Sequence, residues 1–304
     1  MSEPQDALRA VADRYWEACL QFRPTEATLH GDHRYDDRIE DVSVEGEARQ
    51  RATWLELRAI ADAIDPAGLD AAGRVTRELL QAELTEAVEA IDVRETELRY
   101  DQNTGFHAEL FVIAPQIQAP TPESARGLLE RHRQIGPFLD QVVDRLRAGL
   151  AAGRTPARIN VERSLNQIDK YLASPLDGDP FTTLAGPPGW SGEPGWRAEL
   201  AAVARDVIRP AFGRYREFFA GELLAAGRPH DQAGLSWIPE GPALYEHFVR
   251  RHTTLGRSCG PDRGDTSRPP GVEDLTAEDI HQIGLDELDR LAGEYAEVGG
   301  RLFG

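Results

Sequence analysis

The chain has 304 residues, of which 40% are hydrophobic and 28% are charged, a composition typical of soluble globular proteins. Its 34 basic and 52 acidic residues give a net charge of −18. This charge argues against a surface for nucleic acid or anionic membranes, because both require a basic footprint. The longest apolar runs fall short of the roughly 18 residues of a membrane span, and the polar N-terminus does not resemble a signal peptide. We therefore expect a cytoplasmic protein.

The first third of the chain is predicted to form helices separated by short breaks. Apolar side chains recur at helical spacing from about Glu3 to Phe22, and a short helical turn follows after Pro24. Ser43 is placed to cap the next helix. A long helix is then predicted from about Ala71 to Val93. Its heptad-like stripe is expected to pack on neighbouring helices and consists of Val75, Leu79, Leu80, Leu84, Val88 and Ile91.

The middle of the chain shows two Thr–Pro pairs, a combination typical of helix starts. Thr121–Pro122 predicts a helix to about Ala152, and Thr155–Pro156 predicts one to Ala173. Before them, the segment LFVIA at 110–114 fits either a short strand or a buried helical turn, which periodicity cannot distinguish at that length.

Residues 174–195 are rich in proline and glycine and are predicted to be an irregular loop, anchored by Phe181 and Trp190. The helical pattern then resumes from Trp196 to Ala226, where Pro210 is expected to kink or divide the helix.

The C-terminal region is predicted to contain two helices joined by a polar loop. The first covers 244–255, and the loop covers 257–271, which is rich in Gly and Pro. Thr276 can cap the second helix, with Asp279 completing a capping box. We expect this helix to fray near Gly299–Gly300 and to expose an apolar face formed by Ile280, Ile283, Leu285, Leu288 and Leu291.

These patterns predict an all-α, mainly α-helical fold with at most one or two short strands. We expect 1–304 to form a single helical region that is part of a larger domain, with irregular loops at 174–195 and 257–271.

Several segments carry a resemblance to a known family. They include GDHRYDDRIEDVS at 31–43, DQNTGFHAEL at 101–110, RRHTT at 250–254 and LTAEDIHQIGLDEL at 275–288. The chain resembles a bacterial family catalogued as domain of unknown function 885. The resemblance implies a helical fold, with full-length members roughly twice as long that carry an H-E-x-x-H zinc motif in their second half. It therefore implies that this chain corresponds to the N-terminal half, and that zinc belongs only to full-length relatives.

The zinc-binding motif of helical peptidases is absent from the sequence. No H-E-x-x-H occurs among the eight histidines, and neither a P-loop nor G-x-G-x-x-G is present. Glu278 and His281 form one Glu-x-x-His pair, but a carboxylate-bridged di-metal site requires two such pairs. The alternative for His281 is a solvent-facing or capping role. We therefore assign no catalytic, cofactor-binding or metal-binding residue.

Two polar clusters are candidates for a substrate cleft. Asp32, His33 and Arg34 belong to GDHRYDD, which fits either a polar site or an exposed turn with local Asp–Arg pairs. Arg250–His252 fit either a contact to a substrate carboxylate or charges that oppose the negative end of a helix dipole.

Two functions remain open. The chain is either the N-terminal helical half of a zinc-metallopeptidase-like hydrolase, inactive alone, or a stand-alone helical protein with a binding or regulatory role. If the apolar face of the last helix is uncovered, we expect self-association or a complementary C-terminal chain as partner. Neither nucleic acid nor membrane is expected as a partner.

Overall fold

A computed structural model describes residues 3–253 and 275–303. Within these ranges the structure is 75% helical and contains no sheet, which confirms the all-α prediction. The predicted loop at 257–271 lies outside the described residues. The α-helices are α1 (Glu3–Phe22), α2 (Pro24–Leu29), α3 (Val44–Asp62), α4 (Ala71–Asp92), α5 (Phe106–Ile113), α6 (Pro122–Ala151), α7 (Arg158–Ala173), α8 (Glu193–Val203), α9 (Arg209–Phe218), α10 (Gly241–Thr253) and α11 (Ala277–Phe303).

The chain divides into two compact units, Met1–Gly241 and Pro242–Gly304. The first unit contains two hydrophobic cores. Helices α1, α3 and α4 enclose the N-terminal core, which is built on Leu8, Val11, Trp54, Leu57, Leu80, Leu84 and Val88. Helices α5 to α9 and the loop before α8 enclose the central core, which is larger and includes Leu128, Leu139, Phe181, Phe212 and Phe219.

The predicted stripe of α4 combined two faces of one helix. Leu80, Leu84 and Val88 are buried, as predicted, but Val75 and Leu79 are exposed. At about 100° per residue, Val75 and Leu79 lie 100° or more around the helix from the buried line. The prediction that those two residues pack on neighbouring helices was therefore wrong.

Helix α6 begins as its sequence predicts, and α7 does not. The Thr121 hydroxyl accepts a hydrogen bond from the Ser124 amide at 3.1 Å, which caps α6. The second Thr–Pro pair lies outside α7, which starts only at Arg158. The preceding backbone instead pairs with a distant residue: the Arg228 amide donates to the Pro156 carbonyl at 2.8 Å, and the Arg158 amide donates to the Arg228 carbonyl at 2.9 Å.

The helical run that leads to Ala226 is divided, as Pro210 predicts. A π-helical turn at Ala204–Ile208 separates α8 from α9, and Pro210 lies in the first turn of α9. A proline lacks an amide hydrogen, so its helix cannot form the usual bond at that position, and π turns accommodate such interruptions. The segment LFVIA proves to be helical, because α5 covers most of it.

A buried polar network joins the two cores. Arg145 of α6 donates to Glu47 of α3 at 2.5 Å, and Arg154 donates to Glu97 at 3.1 Å. All four side chains are buried. Burial raises the pKa of Glu47, although Thr96 and Arg145 oppose that shift by hydrogen bonding and charge. Ion pairs of this kind fix the arrangement of the elements more than they add net stability.

The second unit contains α10 and α11. The predicted capping box is present: the Asp279 amide donates to the Thr276 hydroxyl at 3.2 Å, and the Thr276 amide donates to the Asp279 carboxylate at 2.8 Å. Helix α11 continues through Gly299–Gly300 to Phe303. The fraying expected near Gly299–Gly300 stays a prediction. The apolar side chains of α11 are exposed, among them Ile283, Leu285, Leu288, Leu291, Tyr295, Val298 and Leu302.

Candidate functional site

A polar groove lies between the GDHRYDD loop and the first turns of α6 in the first unit. Its volume is about 980 Å³. Three of the sequence-predicted cleft residues, Asp32, His33 and Arg34, line it. The remaining lining residues are His30, Gly31, Asp36, Asp37, Thr121, Glu123, Ser124, Arg126, Gly127 and Glu130.

The loop wall is shaped by a tight turn after α2. Gly31 has a φ of +84°, a conformation that side chains with a Cβ rarely adopt. Asp32 then accepts a hydrogen bond from the Arg34 amide at 3.1 Å and starts a 3₁₀ turn over His33–Tyr35. These local bonds place Asp32, His33 and Arg34 along the same wall of the groove.

Asp32 and Arg34 are paired with each other and with α1. The Arg34 guanidinium lies 2.6 Å from the Asp32 carboxylate and 2.9 Å from that of Glu17. The hydrogen bonds to Asp32 and Glu17 raise the pKa of Arg34, and the hydrogen bond from Arg34 lowers the pKa of Asp32. This geometry fits the local Asp–Arg pairing that the sequence left open for these two residues.

His33 belongs to a more buried chain of contacts. Its Nδ1 lies 2.9 Å from Asp36 Oδ2, and the Thr28 hydroxyl donates to Asp36 Oδ1 at 2.7 Å. Asp36 and Thr28 are both buried. The Asp36 carboxylate thus orients the imidazole and holds its ring at the groove wall, half-buried.

Arg131 holds this loop against α6, and sequence reasoning missed it. Its guanidinium donates to the carbonyls of Pro24 at 3.0 Å, Tyr35 at 2.9 Å and Arg38 at 2.6 Å. Burial lowers the pKa of Arg131. An arginine on the otherwise apolar face that includes Leu128 was the one signal in the sequence. The opposite wall fits closely, because a Cβ at Gly127 would lie 2.9 Å from the Cβ of Asp36.

The rim of the groove carries charges and aromatic rings. The Arg126 guanidinium lies over the Trp190 ring, 5.9 Å from its centroid. His30 lies 5.6 Å from Trp16, ring centroid to ring centroid. Five carboxylates line the groove, against two guanidinium groups. Such a surface can bind a polar, extended ligand that donates hydrogen bonds.

The other predicted cleft residues, Arg250, Arg251 and His252, lie in the second unit. They occupy the last turn of α10, where positive charge opposes the helix dipole. Glu278 and His281 of α11 are exposed. Among the described residues, no three His, Cys, Asp or Glu side chains are grouped to hold a metal ion.

Another histidine, His107 of α5, is sealed in the central core. His107 Nε2 lies 3.2 Å from the Gln167 side-chain oxygen, and Nδ1 lies 3.4 Å from the Tyr215 hydroxyl. The rings of Phe111 and Phe219 pack edge-on against His107. Burial lowers the pKa of His107 to about 4, so the imidazole is neutral at neutral pH. With no exposed surface, it acts as a packed polar group.

The fold recurs as part of a longer protein. It is similar to a crystal structure described as that of "the putative lipoprotein from Colwellia psychrerythraea", with 19% sequence identity and a TM-score of 0.73. The match covers 96% of this chain and 51% of that one, so the chain spans about half the length of the protein it matches. No curated protein matches the sequence. Among the described residues, none of the helices is both long and apolar enough to cross a bilayer.

A family model matches most of the sequence. It covers residues 24–262, which include the groove loop, all of α6 and the histidine-containing α5. The family is described as a bacterial protein of unknown function. Because the match extends over more than half of the chain, it shows the family directly: the chain belongs to the bacterial family of unknown function DUF885.

Proposed function

We propose that this chain is the helical framework of a zinc-metallopeptidase-like hydrolase, and that the zinc and the catalytic base belong to a complementary part of the protein. In this proposal the described residues hold the substrate but do not cleave it. The observation that carries the proposal is the half-length match: this architecture forms 51% of a longer chain.

The groove supports a substrate-binding role. Its carboxylates, among them Asp37 and Glu123, face a channel that is open to solvent and edged by the Trp190 ring. Carboxylates accept hydrogen bonds from backbone amides and ammonium groups, and aromatic rings add contact area. We therefore propose that the groove binds an extended, amine- or amide-bearing ligand.

Metal analysis and a hydrolysis assay on the purified chain test this proposal. We expect well under one zinc per chain after dialysis against zinc, and no cleavage of a mixed peptide library. A helical zinc peptidase carrying H-E-x-x-H, handled identically, is the positive control. His247 is a buried histidine of α10. One zinc per chain that is lost in the His281→Ala or His247→Gln variant would overturn the proposal.

A binding or regulatory role without catalysis is the second candidate, and the pairing of Asp32 with Arg34 favours it. Asp32 is already paired with the Arg34 guanidinium, so this carboxylate is suited to shaping a binding wall and is not free to act as an acid or base. Ligand binding without any effect on hydrolysis by the complementary part would support this candidate. The cytoplasmic location also stays a prediction. Cell fractionation tests it against the lipoprotein description of the structural neighbour.

A further inference from the structure

One face of α11 carries large apolar side chains at alternating spacings of three and four residues. The resulting seam, called the α11 seam below, consists of Leu288, Leu291, Tyr295, Val298 and Leu302. Leu288 is 64% exposed, Tyr295 75% and Leu302 69%. Alternation of three and four is the spacing by which one helix packs lengthwise on another.

The extent of the seam indicates what kind of surface would cover it. From Leu288 to Leu302 the seam runs for about 21 Å at 1.5 Å per residue. Two helices that cross steeply touch over a shorter distance, whereas helices about 20° from parallel stay in contact over such a length. The seam therefore fits a helix that lies along α11.

The two sides of the seam differ in size and charge. Ala292 and Gly299 border one side and leave room for larger side chains of a partner. Glu287, Glu294 and Arg301 border the other. Arg290 already pairs with Glu287 at 2.7 Å and with Glu294, so the charges of α11 are partly balanced within the helix.

The net charge of α11 argues against a second copy of the chain as the occupant. The helix has two basic and seven acidic residues, 2 minus 7 or −5, and the whole chain has a net charge of −18. A second copy would bring like charges together along the full seam, which is destabilising. A partner with basic flanks would meet complementary charge.

We propose that the α11 seam is a docking surface for an amphipathic helix with an apolar stripe of matching spacing and Lys or Arg along its flanks. We expect that helix to come from the complementary part of the hydrolase-like protein. In this respect the inference rests on the proposed function. Large apolar residues of the partner would pack beside Ala292 and Gly299, and its basic flank would pair with Glu287 and Glu294.

Two synthetic peptides of about four heptads test the proposal on the full chain. Both carry Leu along the seam; one has Lys on its flanks, and the matched peptide has Glu. We expect the Lys peptide to bind at least about tenfold more tightly by isothermal titration. Leu288→Asp should weaken that binding about tenfold or more, although it adds a negative charge. Ala296→Asp adds the same charge off the seam and should leave the binding unchanged or tighter.

The same assay separates this proposal from its rivals. Equal binding of the two peptides would contradict the basic flanks proposed for the partner. Equal binding by the Leu288→Asp and Ala296→Asp variants would mean that the seam is not the docking surface. A dimer in sedimentation equilibrium that Leu288→Asp dissociates would identify a second copy as the occupant and overturn the proposal. The binding assay contains neither metal nor substrate. A negative result would therefore contradict the docking proposal alone, and the zinc measurement would still test the proposed function.

Discussion

At the scale of single residues, Arg131 connects the groove to the body of the protein. Its buried guanidinium donates to the carbonyl of Pro24 at the start of α2 and to the carbonyls of Tyr35 and Arg38 in the loop. Loss of a hydrogen-bond donor to a buried carbonyl costs free energy. Removal of Arg131 would also leave the buried Asp36 carboxylate without the guanidinium that lies 3.9 Å from it, which adds to the cost.

The Arg131→Met variant should therefore be strongly destabilised. We expect a loss of about 3–5 kcal/mol in the free energy of unfolding, measured by urea denaturation. Arg133→Gln on the same helix is the matched control. Arg133 makes only exposed pairs with Glu130 and Glu199, so its loss should cost less than about 1 kcal/mol. Equal effects of the two substitutions would contradict the role given to Arg131.

The residue types in the GDHRYDD loop predicted the pairing within the loop, but not the residues of α6 that pack against it. The Asp–Arg pairing of Asp32 and Arg34 follows from a spacing of two residues, which was visible in the sequence. The contact of Asp36 with Gly127 joins positions about ninety residues apart. Helical periodicity carries no information on contacts between positions so far apart, and it marks Arg131 only as a charged residue on an apolar face, without the carbonyls that it contacts.

At the scale of elements, the helix ends were predictable wherever the cap was local. Ser43, Thr121 and Thr276 each accept a hydrogen bond from an amide three residues ahead, and each lies at the predicted helix start. The start of α7 was not predictable in this way. Its first residues pair with Arg228, so a tertiary contact overrides the Thr–Pro signal.

The fit of the groove loop on α6 gives an element-scale prediction. Gly127→Ala would place a methyl group 2.9 Å from the Cβ of Asp36, and we expect it to destabilise the protein by about 1–3 kcal/mol because the loop must move. Gly213→Ala in α9 is the matched control, since nothing lies within 4 Å of its Cβ.

The control substitution should instead stabilise the protein by about 0.5–1 kcal/mol, the usual gain when alanine replaces a helical glycine. Thermal unfolding of the two variants under identical conditions makes the comparison. Stabilisation by both substitutions would show that the loop does not press against α6.

At the scale of the whole molecule, the two units differ in how their helices are covered. The first unit buries its apolar faces in two cores joined by the Glu47–Arg145 network. The second presents α11 with its seam in solvent. A contiguous apolar surface of this size marks an interaction site in soluble proteins. Helical periodicity predicted both the helical fold and the apolar face of α11. It does not specify which partner covers that face.

The central claim is that the α11 seam is an open docking surface, since its side chains are exposed among the described residues, and hydrogen exchange tests this claim most directly. An unpacked helix opens readily, so we expect amides from 284 to 302 in the dilute chain to exchange at least about 100-fold faster than those in the interior of α6. Addition of the Lys-flanked peptide should slow exchange across the same residues. Protection of α11 equal to that of α6 in a monomeric sample without peptide would contradict the account.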